Sequence, residues 1–221
     1  MKRLAIYGTG GLAREVLEVV REVNAIEPRF DVIGWLDDDP SKAGQLIKGL
    51  PVLGPIERAA DHVGSFETVI AIGNTVARSR IAARLERQRV ASPVLIDPRA
   101  RVGRDVAIGD GSIICAGTLL TTDIHLGRHV ILNLNVTIGH DAELADFVTL
   151  APAVNVSGHV RIGEGCDVGT GSATVQGVAI GEWSIVGAGA VVARDLPANV
   201  TAVGVPAKVI KERPAGWHLE H

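Results

Sequence analysis

The sequence predicts two folds in series: a small parallel α/β domain over residues 1–95, then an all-β parallel helix of six-residue repeats over 96–210, with a tail at 211–221. Three observations carry this. Up to about residue 95, short apolar runs alternate with stretches of helical periodicity. After Pro93 that rhythm stops, and an aliphatic side chain recurs at nearly every sixth position from 102 to 192. The apolar fraction, 47%, is ample for a packed core in both parts.

In the first part, residues 3–7 read as a buried strand followed by the turn Gly8-Thr9-Gly10-Gly11. Leu12, Val16, Val19, Val20 and Val23 then line one face of a helix whose other face carries Glu15, Glu18, Arg21 and Glu22. A second strand at 31–36 ends on Asp37-Asp38-Asp39-Pro40, a third at 68–72 ends on Gly73-Asn74, and 76–89 is another amphipathic helix. Strands separated by helices make a parallel, Rossmann-like sheet of about four strands. A glycine turn opening a helix can offer backbone N–H groups to a phosphate. Gly8, Gly10, Gly11, Asp37, Asp38 and Gly73 are therefore the candidate nucleotide-binding residues at the carboxyl ends of the strands. The sheet is too short for two mononucleotide halves, which argues against NAD.

In the second part, Val102, Ile108, Ile114, Leu120, Leu126, Leu132, Ile138, Leu144, Leu150, Val156, Ile162, Val168, Thr174, Ile180, Val186 and Val192 share one register position, and only Thr174 is not aliphatic. Period six fits neither an α-helix nor an ordinary strand. It fits a prism in which each hexapeptide forms one short strand and one corner, so that three complete a coil of 18 residues and stack at the roughly 4.8 Å spacing of neighbouring strands.

The formal net charge of −3, with no long run of like charges, gives no footprint for nucleic acid or anionic lipid. No apolar run approaches the roughly 18 to 20 residues of a membrane span. The N-terminus runs straight into a strand and a glycine turn, so a cytoplasmic protein with small-molecule partners is expected. Cys115 and Cys166 fall at small-residue positions of the repeat and read as reduced core thiols. Leu219-Glu220-His221 reads as the start of an expression tag.

The register also locates the histidines. His140 follows Ile138 by two positions, which puts it at a corner, with Asp141 beside it, Gly158 one coil above and Thr122 one coil below. A histidine, an adjacent carboxylate and a glycine N–H supply a general base, its orienting group and an oxyanion donor, an arrangement suited to acyl transfer. The bland alternative is a solvated corner histidine.

The glycine turn, Asp37-Asp38-Asp39-Pro40, the prism, the segment Asn133-Leu134-Asn135-Val136-Thr137-Ile138-Gly139-His140-Asp141 and the terminal Gly204-Val205-Pro206-Ala207-Lys208 together resemble the NeuD/PglD type of sugar O- or N-acyltransferase. The resemblance covers the chain except its tail. It implies a left-handed coil, a homotrimer, acetyl-CoA as acyl donor in the groove between prisms, and a nucleotide-linked amino sugar held partly by the first domain. It also implies His140 as base, Asp141 as its orienting group, Asn133 at the acceptor, the Gly158 amide on the thioester oxygen, and Thr149, Gly158, Ala188, Pro206 and Lys208 against the donor. Two positions depart from the pattern. Thr149 stands where many relatives carry a second histidine, and Leu12 stands where several carry a turn histidine.

Two other classes share parts of this pattern. The γ-type carbonic anhydrases use the same prism with three histidines on zinc, but the order of His125, His129 and His159 differs from theirs, so no metal is expected. A non-catalytic trimeric scaffold that binds a sugar nucleotide would not need His140-Asp141. Within the enzyme reading, N-acetylation of a nucleotide-linked amino sugar leads, with O-acetylation of a free sugar such as a sialic acid as the alternative.

Overall fold

A computed structural model describes residues 1–63 and 65–219. The first domain opens with β1 (Lys2–Tyr7), α1 (Gly11–Ile26) and β2 (Phe30–Leu36), continues through β3 (Leu46–Ile47), β4 (Leu50–Gly54) and α2 (Ile56–Val63), and closes with β5 (Glu67–Ile70) and α3 (Thr75–Arg87). The sheet order is β3-β4-β2-β1-β5. Four strands are parallel, as the βα rhythm requires, and β3 adds an antiparallel edge through Leu46 and Ile47. Sequence reading missed β3 because two residues carry no period. Helix α1 buries Ala13, Val16, Leu17, Val19, Val20 and Val23. Helix α3 starts at Asn74, whose side chain caps it by accepting from the Ala77 amide at 2.8 Å.

The second domain is a left-handed parallel β-helix with three faces. The first face contains Ile113–Ile114, Ile131–Leu132, Thr149–Leu150 and Asp167–Val168, the second Leu119–Leu120, Thr137–Ile138 and Asn155–Val156, and the third Ile124–Leu126, Glu143–Leu144 and Arg161–Ile162. Partners lie 18 residues apart, as in Leu120 with Ile138 and Ile131 with Thr149, until the last coil, where Ile185 pairs with Thr201. The inward aliphatics form one continuous core from Ile114 to Ala202. Thr174, the one polar residue in that register, is 5% exposed, and its hydroxyl accepts from the Ser157 amide at 3.1 Å. Its cost is thereby largely removed. Both cysteines are buried free thiols.

The two domains share a core. Leu4, Ile6, Val16, Val20 and Trp35 of the α/β domain pack with Leu95, Ile113, Cys115 and Ile131 of the first face. Arg78, 0% exposed, rivets the junction. Its Nε donates to the His129 carbonyl at 3.0 Å, Nη1 to Ile72 and Gly73 at 2.7 and 3.0 Å, and Nη2 to Phe147 and the Thr149 hydroxyl, both at 2.7 Å. Burial pulls its pKa down, but with all five donors matched it remains a cation.

The tail at 211–221 begins inside a strand. Val200–Val203 joins the first face and Lys208–Glu212 returns antiparallel to it. His218 then stacks on Trp183 with ring centroids 3.7 Å apart, and its carbonyl accepts from Arg80. His221 lies outside the described residues.

Candidate active site

His140 stands on the edge where the second face, ending at Ile138, turns into the third, starting at Glu143. The turn is made by Asp141, whose φ of +57° lies in the left-handed region that Asp tolerates better than most residues. That conformation brings Asp141 Oδ2 to 2.6 Å from His140 Nδ1, and both side chains are about half exposed. A carboxylate on Nδ1 fixes the neutral tautomer with its proton there and leaves Nε2 as the basic nitrogen.

The coil above supplies the seat. A Cβ on Gly158 would lie 2.7 Å from Cε1 and Nε2 of His140, so only a glycine lets the imidazole rest on the backbone there. The next residue, His159, donates its amide to the His140 carbonyl at 2.8 Å and sets its ring edge-on to that of His140, centroids 5.0 Å apart. Its Nε2 is 3.7 Å from Asp141 Oδ2. His159 lies one 18-residue coil from Asp141, so the register arithmetic that finds Gly158 finds it too.

The remaining acceptor and donor candidates occupy a different edge. Asn133, whose Oδ1 accepts from the Leu134 amide at 2.7 Å, follows the first-face strand Ile131–Leu132, so it begins the turn from the first to the second face. Ala188 lies on that same edge after Ile185–Val186, and the exposed Pro206 and Lys208 sit above it, where the Ala207 amide bonds to the Val191 carbonyl. Thr149 departs from its expected place. It is 7% exposed on the first face, with its hydroxyl accepting from Arg78 and donating to the Gly73 carbonyl at 3.2 Å, so it serves the domain junction and not an open groove. His129 is buried against Phe147, where desolvation lowers its pKa to about 4. His125 is exposed on the third face, so His125, His129 and His159 do not converge within the chain.

The glycine turn, Asp37, Asp38 and Gly73 do come together at the carboxyl ends of β1, β2 and β5. Gly8 has φ +105°, and a Cβ there would lie 3.1 Å from the Ala71 carbonyl oxygen. Gly10 caps α1 without a side-chain bond, and the space beside Gly10 and Gly11 is open. The two carboxylates differ from the expected ligand acceptors, because each already has protein partners. Asp37 accepts from Thr9 Oγ1 at 2.6 Å and Lys42 Nζ at 2.9 Å; burial alone would raise its pKa, and these bonds with the Asp39 amide outweigh it and lower it. Asp38 is held below its ordinary range chiefly by Arg84, which grips it at 2.6 and 2.9 Å, while Tyr7 donates to it at 2.7 Å. Arg84 also pairs with Glu57. Lys42 Nζ, 3.1 Å from Thr9 Oγ1, puts a cation at the mouth of the glycine turn that sequence reading did not identify.

Two clefts, of about 540 and 670 Å³, do not have His140 in their lining. One is bounded by Asn74, Asp167, Lys211, Arg213 and Trp217, the other runs along the third face past Glu143 and Arg161.

Comparison with known proteins agrees with both halves. The PglD N-terminal domain matches residues 3–85, and the hexapeptide repeat of succinyl-transferase matches 100–122 and 159–194. The chain is 30% identical to GDP-perosamine N-acetyltransferase of Escherichia coli O157:H7 over 97% of this chain and 99% of that protein. A histidine-to-asparagine mutant of perosamine N-acetyltransferase from Caulobacter crescentus, in complex with CoA and GDP-perosamine, superposes with a TM-score of 0.87 at 32% identity, covering 95% of this chain and 97% of that one. The acetyltransferase domain of PglB from Neisseria gonorrhoeae FA1090, in complex with acetyl coenzyme A, gives 0.85 at 31% identity over 95% and 99%.

Proposed function

The chain belongs to the PglD-type family of hexapeptide-repeat sugar acyltransferases, and we propose that it moves the acetyl group of acetyl-CoA onto the amine of a nucleotide-linked amino sugar, with His140 as general base. The observation that carries this is the His140–Asp141 pair, 2.6 Å apart and seated on the bare backbone of Gly158. In the reaction the amine nitrogen attacks the thioester carbonyl while His140 Nε2 takes its proton. Asp141 makes the developing imidazolium less costly, and the Gly158 amide is assigned to the oxygen that gains charge. Collapse of the intermediate breaks the C–S bond, and the departing thiolate takes the proton from His140.

The acceptor's nucleotide is assigned to the open glycine turn at the start of α1, with Lys42 beside it for the diphosphate. Asp37 and Asp38 then act on the loop and not on the ligand. Geometry within one chain argues that the site is completed by a second copy. The α/β domain packs on the first face, while His140 stands on the opposite edge, between the second and third. Asn133, Ala188, Pro206 and Lys208 lie on the edge between the first and second faces. A closed trimer, in which that edge of one chain meets the His140 edge of the next, brings these groups together around acetyl-CoA.

The test is release of free thiol from acetyl-CoA with a panel of nucleotide amino sugars, beginning with GDP-perosamine, against the same sugars without nucleotide. Turnover confined to the nucleotide-linked amines is expected. Equal turnover with free sugars would favour O-acetylation and overturn the nucleotide assignment, and no turnover with any acceptor would favour a binding scaffold.

A further inference from the structure

We propose that the His140 corner is also a binding site for a zinc ion, with His140, Asp141 and His159 as its three ligands. They form the one group of three His, Cys, Asp or Glu side chains among the described residues whose ligand atoms all lie within 4.8 Å of one another. The fold makes the cluster from both of its geometries. Left-handed corners at residues 141 and 159 turn Asp141 back toward His140, and the 18-residue coil brings His159 over Asp141.

The donor chemistry selects the metal. Two imidazoles and one carboxylate, with a fourth position open to water, suit zinc and copper(II) and not magnesium or calcium, which take oxygen ligands. Around tetrahedral zinc, bonds of about 2.0–2.1 Å set donors about 3.3 Å apart. His159 Nε2 and Asp141 Oδ2, at 3.7 Å, are already near this separation. The 2.6 Å contact between His140 and Asp141 has to open by about 0.7 Å, which two half-exposed side chains permit by rotating.

The consequence for activity rests on the reading of His140 as base. Zinc at Nδ1 displaces the proton shared with Asp141, and the ring proton moves to Nε2, the nitrogen that would accept from the amine. Coordination through Nε2 blocks the base directly. In either case bound zinc silences the enzyme reversibly, as a regulatory ligand and not as a cofactor.

Zinc also binds the thiol of released CoA, so the primary measurement is calorimetric titration of zinc chloride into the protein alone. One ion per chain is expected, with His159→Ala and Asp141→Asn each weakening it at least tenfold, and with far weaker binding of magnesium. A His159→Ala protein that binds zinc as tightly as wild type would overturn the site. In the assay, zinc should inhibit wild type with reversal by EDTA, while His159→Ala turns over within a few-fold of wild type and loses most of that sensitivity. If zinc binds through the three residues and acetyl transfer is unaffected, the site stands and the assignment of His140 as base falls.

Discussion

Through most of the β-helix the neighbour above a side chain is 18 residues on, so Asp141 meets His159 and His140 meets Gly158 by arithmetic. In the α/β domain Asp38 finds Arg84 and Tyr7 at separations of 46 and 31 residues, and no period predicts either pairing. The helix is a stack of equivalent layers whose functional groups stand at its corners. The α/β domain is held at its strand ends by individual ion pairs and hydrogen bonds. Chemistry in the first region should therefore be sensitive to single atoms with little effect on folding, whereas changes in the second should act mainly on stability and loop geometry.

The largest expected effect tests the helix side of that contrast. His140→Ala should lower kcat by roughly 10² to 10⁴, equivalent to about 3 to 5 kcal/mol of transition-state stabilisation, with an unchanged melting temperature because the ring is half exposed. A variant within a few-fold of wild type in a steady-state thiol assay would remove His140 from the chemistry.

Arg78→Met breaks the contrast at the boundary between the regions. Losing five donors strands the carbonyls of Ile72, Gly73, His129 and Phe147 in a buried junction, for a loss of about 3 kcal/mol in chemical denaturation. If the α/β domain then melts before the β-helix, the two are separately cooperative units joined by this residue. A single unchanged transition would show that the shared core of Val16, Trp35 and Ile131 suffices without it.

Gly158→Ala is a smaller and more local change. The added methyl meets the tip of the His140 ring at 2.7 Å and can be accommodated only by moving that ring. A displacement of this order costs roughly tenfold to a hundredfold in kcat, with the fold intact by circular dichroism. Retained activity would place the reactive position of the ring elsewhere than over this glycine.

These experiments touch what the sequence made legible to different degrees. His140, Asp141 and Gly158 could be read because a repeat converts sequence separation into distance. Arg78, Lys42 and Arg84 could not, since each is an ordinary basic residue on a helix or turn until the fold supplies its partner. Thr149 was misjudged for the same reason. Its register position is evident, but whether a first-face side chain looks into an open groove or under another domain depends on where that domain docks. The edge strand Leu46–Ile47 escaped because two residues fall below any pattern.

The smallest expected effect concerns Asp38, where the two accounts of the α/β domain diverge. Read from sequence, it is an acceptor for the nucleotide, and Asp38→Ala should raise the acceptor KM while leaving that of acetyl-CoA nearly unchanged. Read from structure, its oxygens belong to Arg84 and Tyr7, and its loss should loosen the loop after β2. Because Arg84 holds the Asp38 pKa below its unfolded value, the carboxylate contributes stability above the unfolded pKa of about 3.9, and that contribution is lost as pH falls through the lower folded pKa. Asp38→Asn should therefore melt slightly below wild type at pH 7, and the two curves should converge below about pH 4 as wild type loses the same interaction. The side chain is 48% exposed, so solvent screening keeps the difference under about 1 kcal/mol. Melting curves from pH 3 to 8, run beside acceptor and donor KM values, separate the accounts. A several-fold rise in acceptor KM with no pH-dependent stability difference would return Asp38 to the ligand.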